Sequence, residues 1–398
     1  MKMIKDIKLC VMMFLQFMLV AVFWVQLSSY LDSMKITGTM MSLIMSSMAI
    51  GSIFSPLVGA FADRIANGEK VLAFLNALVA LCLVWAYFST SAVSIFVSIT
   101  LAMCAYMPSW GLTTTIALRH SSSETFPFIR VFGSLGWVCS ALFALAAKQL
   151  FDTNIDGTAI PLACGAAIAA FAAIFSMLLP HTPPADTSKK ISLPAVLGLG
   201  AFSILRDRNV AVLILCEVLY TIAFTIYWMY GSFLASLGIA EITPILNVGQ
   251  ISEMLFMLLL PVSIKYLGIK NTIAIGLGAM ALRYFASIFG GDYSAGYWTA
   301  ICLHGLVFGF FIVAAQIYIG KKAPEGIQAQ AQGFFYLVYG IAQTLGTFFS
   351  VWLINVNSTI VNGVRSTDWA SLFTVEAIFS AVILVLFVAA FKSEKISS

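Results

Sequence analysis

The sequence contains little charge. Asp, Glu, Lys and Arg together make up only 10% of its 398 residues, whereas 61% are hydrophobic. Soluble domains usually carry about 25% charged residues, so this composition excludes an ordinary soluble domain. The mean hydropathy of +0.99 indicates a membrane protein. The net charge of +4 gives no indication of nucleic-acid binding, and we expect no nucleic-acid partner.

The residue types that build most metal, redox and catalytic sites are also few. The seven cysteines lie in apolar runs without a Cys-x-x-Cys spacing, and the three histidines are scattered along the chain. We therefore expect no metal and no other cofactor. The sequence shows no nucleophile–base motif, no phosphate-binding loop and no loop large enough to fold separately. These absences disfavour a membrane enzyme or a receptor.

Apolar runs of about 20 residues, the length that crosses a bilayer as a helix, are abundant instead. Twelve runs predict an all-α polytopic membrane protein with twelve transmembrane helices. Their approximate bounds are 9–30, 39–61, 71–89, 93–117, 128–148, 159–180, 210–236, 244–264, 272–290, 296–319, 328–355 and 368–391.

Basic residues predict the orientation of these helices. If the N-terminus is cytoplasmic, sixteen of the 21 Lys and Arg residues fall in inside segments and three in outside loops. Because basic residues concentrate on the cytoplasmic side, we expect N- and C-termini that are both cytoplasmic. A polar, proline-containing segment after the sixth run divides the chain. We predict an N-terminal six-helix bundle at 1–180, a cytoplasmic linker at 181–208 and a C-terminal six-helix bundle at 209–398.

Two charges lie where charge is costly. Glu253 is the only charged residue of the run 244–263, and Arg130 begins another apolar run. An ionised group in hydrocarbon costs several kcal/mol, about 2.5–3.5 on insertion scales, so each must face protein, water or a partner. A lone acid and a lone base in separate helices suggest a polar cavity inside a helical bundle. Such a cavity is typical of a protein that moves a solute.

Helical spacing adds polar and aromatic groups to the faces that carry these charges. An aromatic slot suits the flat base of a nucleoside, and amide, carboxylate and guanidinium groups suit the base edge and ribose hydroxyls. A hexose would also suit this chemistry. For Trp137 and Phe308 the alternative is ordinary packing, and for His304 it is a neutral hydrogen bond between helices. The groups that share a face are Arg130, Ser134 and Trp137; Gln250 and Glu253; Phe224 and Tyr227; and His304 and Phe308.

A short motif follows the second run. The segment from Gly59 through Asp63 to Arg64 reads GAFADR, which resembles the Gly-x-x-x-Asp-Arg motif of the major facilitator superfamily. The resemblance implies the major facilitator fold, with two six-helix bundles and a substrate site near the membrane midplane. It also implies that the small residue permits close helix approach, while the acid pairs with neighbouring helices to hold one conformation.

Stretches in both halves resemble the bacterial nucleoside:proton symporters, a family within that superfamily. The resemblance implies a secondary active transporter that imports nucleosides with protons by alternating access, in the bacterial cytoplasmic (inner) membrane. Its partners would be a small-molecule solute, protons and the lipid bilayer, and we expect a monomer. The stretches are FLQF, AYMP, FPFIRVFGSLGW, LPHTPP, GQISEMLF, KYLGIKN, LRYFASIFGG and AQG.

The resemblance also implies roles for individual residues. Arg130, Gln250, Glu253 and Phe308 match positions associated with substrate binding, and Glu253 with Arg130 is the leading candidate for proton coupling. Ser134 and Trp137 fall where the family can have another hydroxyl and another aromatic residue.

Several positions depart from the family pattern. Gly309 stands where members can carry an aspartate implicated in proton coupling, His304 replaces a tyrosine, and Gln328 stands in place of an arginine. Phe224 and Tyr227 replace amide-type residues. These departures leave two alternatives open, a transporter of another polar solute such as a sugar and an uncoupled facilitator.

Three further charged residues lie within predicted spans. For Arg283 we expect a side chain that extends to the membrane surface or forms a structural ion pair, with substrate contact as the alternative. Glu217 is expected to form a hydrogen bond between helices, with a coupling role as the alternative. For Glu376 we expect a position near a helix end or a structural pair.

Overall fold

The computed structural model describes residues 2–36, 38–122, 124–155, 157–185, 199–239, 242–361 and 364–394. Within these ranges the chain is mostly helical, and this confirms the predicted all-α class. Short segments of other helical types are the 3₁₀ segments Leu199–Arg206 and Thr225–Met229 and the π segment Phe308–Val313. The α-helices are α1 Lys2–Ser33, α2 Gly38–Met45, α3 Ser47–Ser52, α4 Ser55–Arg64, α5 Gly68–Phe88, α6 Ala92–His120, α7 Phe126–Cys139, α8 Ala141–Phe151, α9 Ile160–Ser176, α10 Arg208–Phe224, α11 Tyr230–Ser236, α12 Ile242–Ile288, α13 Ser294–Cys302, α14 His304–Val307, α15 Ala314–Lys322, α16 Gln328–Val356 and α17 Trp369–Ala390.

Ten helical runs among the described residues are long and apolar enough to cross a membrane. The protein is therefore a multi-pass membrane protein, as predicted. One run, Ile245–Ile288, holds 44 residues and covers two predicted spans, while the apolar helix Ile160–Ser176 is shorter than the ten. The count of twelve transmembrane helices and the cytoplasmic termini remain predictions.

The long helix α12 is interrupted at Gly268. This residue has φ 79°, in the left-handed region that glycine enters without steric cost. Helical geometry cannot continue through such a residue, so the chain can change direction between the two apolar parts of α12. The interruption lies between the predicted spans 244–264 and 272–290.

The chain folds as two compact units. The first consists of Met1–Ile204 and Lys322–Gly340. Within it, α5 packs against α6 and α9, α1 against α7 and α9, and α3 against α6. These contacts bring residues of α1, α6 and α7 together, which positions Arg130.

The second unit consists of Leu205–Lys321 and Ile341–Ser398. In this unit α12 packs against α13, α14, the π segment and α17, and α10 packs against α17. Because α12 contacts so many neighbours, its polar residues meet groups from several helices. The predicted domain bounds remain a prediction, and residues 186–198 of the predicted linker lie outside the described residues.

A two-stranded antiparallel hairpin interrupts the helical pattern between α16 and α17, and the sequence reasoning did not predict it. Its strands are β1 Ser358–Val361 and β2 Val364–Thr367. Asp368 follows β2 as the N-cap of α17, where its side chain accepts hydrogen bonds from the Ser371 backbone N–H and hydroxyl at 3.0 and 2.6 Å. These bonds lower the pKa of Asp368, because they favour its ionised form.

Candidate functional site

In the first unit, Arg130 is buried in α7 with only 3% of its surface exposed. Its guanidinium carbon lies 4.1 Å from the centroid of the Phe17 ring on α1, a cation–π contact. Gly133 lies beside both groups, and a Cβ at this position would meet the guanidinium nitrogen at 2.7 Å. The missing side chain thus leaves room for a charged group between two packed helices.

Aromatic rings continue from Phe17 into α6. Phe17 stacks on Trp110 with the ring centroids 5.1 Å apart and the planes inclined by 15°. The Trp110 indole N–H donates to the Tyr106 hydroxyl at 2.6 Å, and this hydroxyl donates to the Gln16 carbonyl at 2.8 Å. Arg130 therefore lies at the edge of a hydrogen-bonded aromatic group. We call Arg130, Phe17, Trp110, Tyr106 and Gln16 the arginine cluster.

The two other residues predicted on the face of Arg130 differ in burial. Ser134, one helical turn further along α7, is buried, whereas Trp137 is only half-buried. Their role in substrate binding remains a prediction.

In the second unit, His304 lies among the predicted site residues. Its Nε2 atom is 3.5 Å from a carboxylate oxygen of Glu253 and 3.4 Å from the side-chain amide of Gln250. Its ring stacks with Tyr227 at a centroid distance of 5.1 Å and with Phe308 at 6.4 Å. The geometry thus places polar and aromatic groups from α12, α14 and the segment after α10 around one imidazole.

Phe224, the remaining predicted residue, lies 5.9 Å from His304 and 6.0 Å from Tyr227, centroid to centroid. The structure therefore brings together all six predicted residues of this unit. We call them the histidine cluster: Phe224, Tyr227, Gln250, Glu253, His304 and Phe308.

Arg283 lies against the histidine cluster without being one of its six residues, a position that was not the preferred prediction from the sequence. It is fully buried, so the expectation that it extends to the membrane surface is wrong. Its guanidinium donates to His304 Nδ1 at 2.9 Å and to the Ala300 carbonyl at 3.1 Å, and its carbon atom lies 4.1 Å from the Tyr227 centroid. No ion pair of Arg283 occurs among the described residues, so the expected structural ion pair is not found there.

Close helix approach holds the cluster together. A side chain at Gly305 would overlap the backbone of Ser252, and the Gly305 N–H donates to the Ser252 hydroxyl at 3.1 Å. Because Ser252 precedes Glu253 and Gly305 follows His304, this contact sets the distance between the carboxylate and the imidazole.

Gly309 lies near the histidine cluster. A Cβ at Gly309 would meet the Met257 side chain at 3.3 Å. Met257 is one helical turn beyond Glu253 on α12, so position 309 faces the same stretch of that helix. Gly309 also belongs to the π segment, a helical form often found at functional sites.

The predicted conformational motif lies in the first unit, at the end of α4. Asp63 is buried and accepts a hydrogen bond from Arg119 at 2.7 Å and one from the Gln330 backbone N–H at 2.9 Å. Gly59 lies against the backbone of Ala329 at the start of α16. The cation that pairs with Asp63 is Arg119 of α6, whereas Arg64 is its neighbour in the motif. The role of the motif in holding a conformation remains a prediction.

Gln328 belongs to the same region. Its side-chain oxygen accepts a hydrogen bond from Arg119 Nε at 2.9 Å. Arg119 therefore contacts both the end of α4 and the start of α16.

The second unit contains two further buried acids. Glu217 accepts a hydrogen bond from Thr221 of its own helix at 3.3 Å, so the observed bond is not the expected one between helices. Glu376 lies two turns inside α17, away from the helix end. Both of its carboxylate oxygens are buried without a hydrogen-bond partner among the described residues, so the expected structural pair is absent there.

Multi-pass helices with buried charges beside aromatic rings are typical of solute transporters. The chain belongs to the nucleoside H⁺ symporter family, whose model matches residues 3–396. Members and relatives of this family are transporters, so the protein is not an enzyme. This membership confirms the resemblance inferred from the sequence.

Comparison with individual proteins agrees with this family. The chain is similar to the transporter YegT of Escherichia coli (strain K12), with 32% identity covering 97% of this chain and 93% of YegT. It is also similar to the nucleoside permease NupG of Escherichia coli (strain K12), with 28% identity covering 97% of this chain and 96% of NupG.

Solved structures confirm the predicted major facilitator fold. The crystal structure of NupG matches with a TM-score of 0.67 and 27% identity, covering 98% of this chain and 99% of that chain. The major facilitator transporter FucP in its outward conformation matches with a TM-score of 0.76 and 15% identity, covering 98% of this chain and 100% of that chain. At this identity the second likeness bears on the fold alone.

Proposed function

We propose that this protein imports a nucleoside together with protons by alternating access. The observation that carries the proposal is the histidine cluster. It sets the Glu253 carboxylate and the Gln250 amide against His304 and stacks this imidazole on Tyr227. A nucleoside offers a flat base for stacking and polar edges for hydrogen bonds, so these groups match its chemistry.

The arginine cluster supports the same substrate class. Arg130 presents a fixed positive charge and up to five N–H donors, and stacked rings of Phe17 and Trp110 lie beside it. Guanidinium donors suit the carbonyl oxygens of a base and the hydroxyl oxygens of ribose. We assign substrate binding to both clusters.

Glu253 is the proposed proton carrier. It is 3% exposed and lies within a membrane span, where adding or removing a proton changes the charge of the site. A protonated carboxyl is neutral and favours one conformation, whereas the carboxylate favours another. The proton gradient then drives alternating access through the different stabilities of the two states.

Gly309 supports a second candidate, a facilitator that moves a nucleoside or another polar solute without protons. The position faces α12 one turn beyond Glu253, and glycine cannot carry a proton. If an acid at 309 were indispensable for coupling, this chain would be uncoupled. The two candidates differ in one measurable property, the ability to concentrate a solute.

The protein's surroundings follow from its surface. Large apolar side chains lie exposed on several membrane helices, including Phe74, Phe88 and Val385, where acyl chains of a bilayer would cover them. We place the protein in a bacterial cytoplasmic (inner) membrane, since the similar permeases come from Escherichia coli. We propose that it works as a monomer.

Uptake of labelled uridine and adenosine tests the proposed function. The protein would be expressed in cells that lack their own nucleoside carriers, with its presence in the membrane verified, and uptake would be measured with and without a protonophore. We expect accumulation above the external concentration, and collapse of this accumulation when the protonophore is added. Uptake that the protonophore leaves unchanged would support facilitated diffusion, and absence of uptake for both nucleosides would support another polar solute.

A further inference from the structure

A permanent cation is buried in the second unit, and no carboxylate of the described residues lies against it. Arg283 is 0% exposed, and its guanidinium stays charged at any pH a cell experiences. Its contacts among the described residues include the His304 ring, the Ala300 carbonyl and the faces of Tyr227 and Phe224. A charge within a membrane span needs compensation, and neutral contacts supply only part of it.

The contact with His304 fixes the position of the imidazole proton. A guanidinium has five N–H donors and no acceptor, so His304 Nδ1 must accept the 2.9 Å hydrogen bond from Arg283. The ring then carries its single proton on Nε2 and is neutral. A second proton on Nδ1 would break the bond and place two cations side by side.

The protonated nitrogen Nε2 faces the Glu253 carboxylate and the side-chain amide of Gln250, and of these two the carboxylate is the stronger acceptor. Nε2 lies 3.5 Å from a Glu253 carboxylate oxygen, close enough for a weak hydrogen bond that shortens with a small side-chain movement. The imidazole thus connects a fixed positive charge at one end to a titratable negative charge at the other. Arg283, His304 and Glu253 come from two separate stretches of α12 and from α14, all within the same unit.

We propose that Arg283, acting through His304, positions Glu253 for proton coupling and supplies the counter-charge of its ionised form. This inference rests on the proposed function and extends it. The proton that moves with the substrate binds a carboxylate oxygen of Glu253 and later leaves this oxygen for the cytoplasm. His304 keeps its one proton on Nε2 throughout, so Arg283 is a positioning residue and Glu253 is the group that titrates.

The other titratable groups around Arg283 do not change this assignment. They are the phenols of Tyr227, Tyr230 and Tyr284, which are neutral near pH 7, and the buried carboxyl of Glu376 on α17, which acts on the same Tyr284 phenol as Arg283. The Tyr230 hydroxyl is hydrogen-bonded to Ser287 at 2.9 Å, and the Tyr284 hydroxyl donates to the Ala223 carbonyl at 2.7 Å. Of the two carboxyls, Glu376 and Glu253, it is Glu253 that contacts His304, the ring to which Arg283 donates its hydrogen bond.

Substitution of Arg283 separates a coupling role from a structural role. In proteoliposomes, we expect Arg283→Gln to lower protonophore-sensitive accumulation at least about tenfold while exchange of nucleoside between the two sides stays within about threefold of wild type. Arg283→Lys keeps the positive charge and should recover part of the accumulation. Wild-type accumulation in Arg283→Gln, or loss of exchange and accumulation together, would overturn the inference.

Two substitutions of His304 give a second test that does not depend on the stability of Arg283 variants. His304→Gln keeps an acceptor for Arg283 and a donor for Glu253 but loses the ring, whereas His304→Phe keeps the ring and loses both hydrogen bonds. Because His304 also belongs to the proposed binding site, both substitutions can slow transport itself, so the readout is accumulation divided by the rate of exchange in the same variant. We expect this ratio to be kept in His304→Gln and lost in His304→Phe. The reverse order would show that accumulation depends on stacking of the His304 ring and not on its hydrogen bonds to Arg283 and Glu253, and this would overturn the inference.

The wild-type protein distinguishes this inference from the proposed function. If wild type shows no protonophore-sensitive accumulation, proton symport itself is wrong and the inference falls with it. If wild type accumulates nucleoside and both Arg283→Gln and His304→Phe do so equally well, the inference alone is wrong.

Discussion

Glu253→Gln should abolish proton-driven accumulation of nucleoside while leaving exchange measurable. Glutamine has the shape of a protonated glutamate but cannot release a proton, so the site stays in its neutral form. A gradient of one pH unit corresponds to about 1.4 kcal/mol per proton, or about tenfold accumulation for one coupled proton. We therefore expect about tenfold accumulation in wild type under this gradient, and internal and external concentrations that are about equal in the variant.

Glu217→Gln is the matched control for this experiment. Glu217 is a buried acid of the same unit, and its observed hydrogen bond is to Thr221 of its own helix. The Glu217→Gln substitution should leave accumulation of nucleoside within about twofold of wild type. Unchanged accumulation in Glu253→Gln would contradict the coupling role of Glu253, and loss of accumulation in Glu217→Gln alone would move this role to Glu217.

Arg130→Ala should remove nearly all uptake at low nucleoside concentration. The substitution deletes a buried cation that we assign to substrate binding and leaves a void beside Phe17. Truncating one partner of a buried, hydrogen-bonded charged contact costs about 2–5 kcal/mol. Since about 1.4 kcal/mol is a factor of ten, we expect uptake to fall at least about 30-fold. Initial rates with labelled uridine or adenosine, normalised to protein in the membrane, measure this effect.

Two substitutions on α7 control for charge and for helix packing. Arg130→Lys keeps the charge but loses the planar set of donors, so uptake should be intermediate. Phe128 is exposed on the same helix, and Phe128→Ala should leave uptake unchanged. Normal uptake in Arg130→Ala would assign Arg130 to structure instead of substrate binding.

The sequence was sufficient to predict the class of protein, its family and the residues of the histidine cluster. Long apolar runs gave the multi-pass helical class because each run must satisfy its backbone hydrogen bonds internally as a helix. The i, i+3 and i, i+4 spacings placed Gln250 with Glu253 and His304 with Phe308, and the structure brings both pairs together. Helical periodicity alone could identify these faces.

The position of Arg283 could not be predicted from helical periodicity. Periodicity shows which residues share one helix face, but it cannot show which faces of separate helices meet. A lone arginine in an apolar run has two outcomes, extension to the surface or compensation inside the protein, and the second depends on His304 and Tyr227. Arg283, like Glu253, is a single charged residue in a long apolar run. The pattern that made Glu253 a candidate site residue was therefore also present at Arg283.

Long-range packing also set the details that motifs left open. The motif at Asp63 placed Arg64 beside the acid in sequence, whereas the observed partner of Asp63 is Arg119, 56 positions away. The contacts of Phe17 and Trp110 with Arg130 similarly combine α1, α6 and α7. Both arrangements depend on helix packing across many residues, which a local pattern does not contain.

The most direct test of proton symport is the pH inside proteoliposomes that contain the purified protein. A pH-sensitive dye would report the internal pH after the transported nucleoside is added outside, with no gradient imposed beforehand. Our account predicts internal acidification that requires the nucleoside, is present in wild type and is absent in Glu253→Gln. Entry of labelled nucleoside into wild-type vesicles without acidification would contradict it.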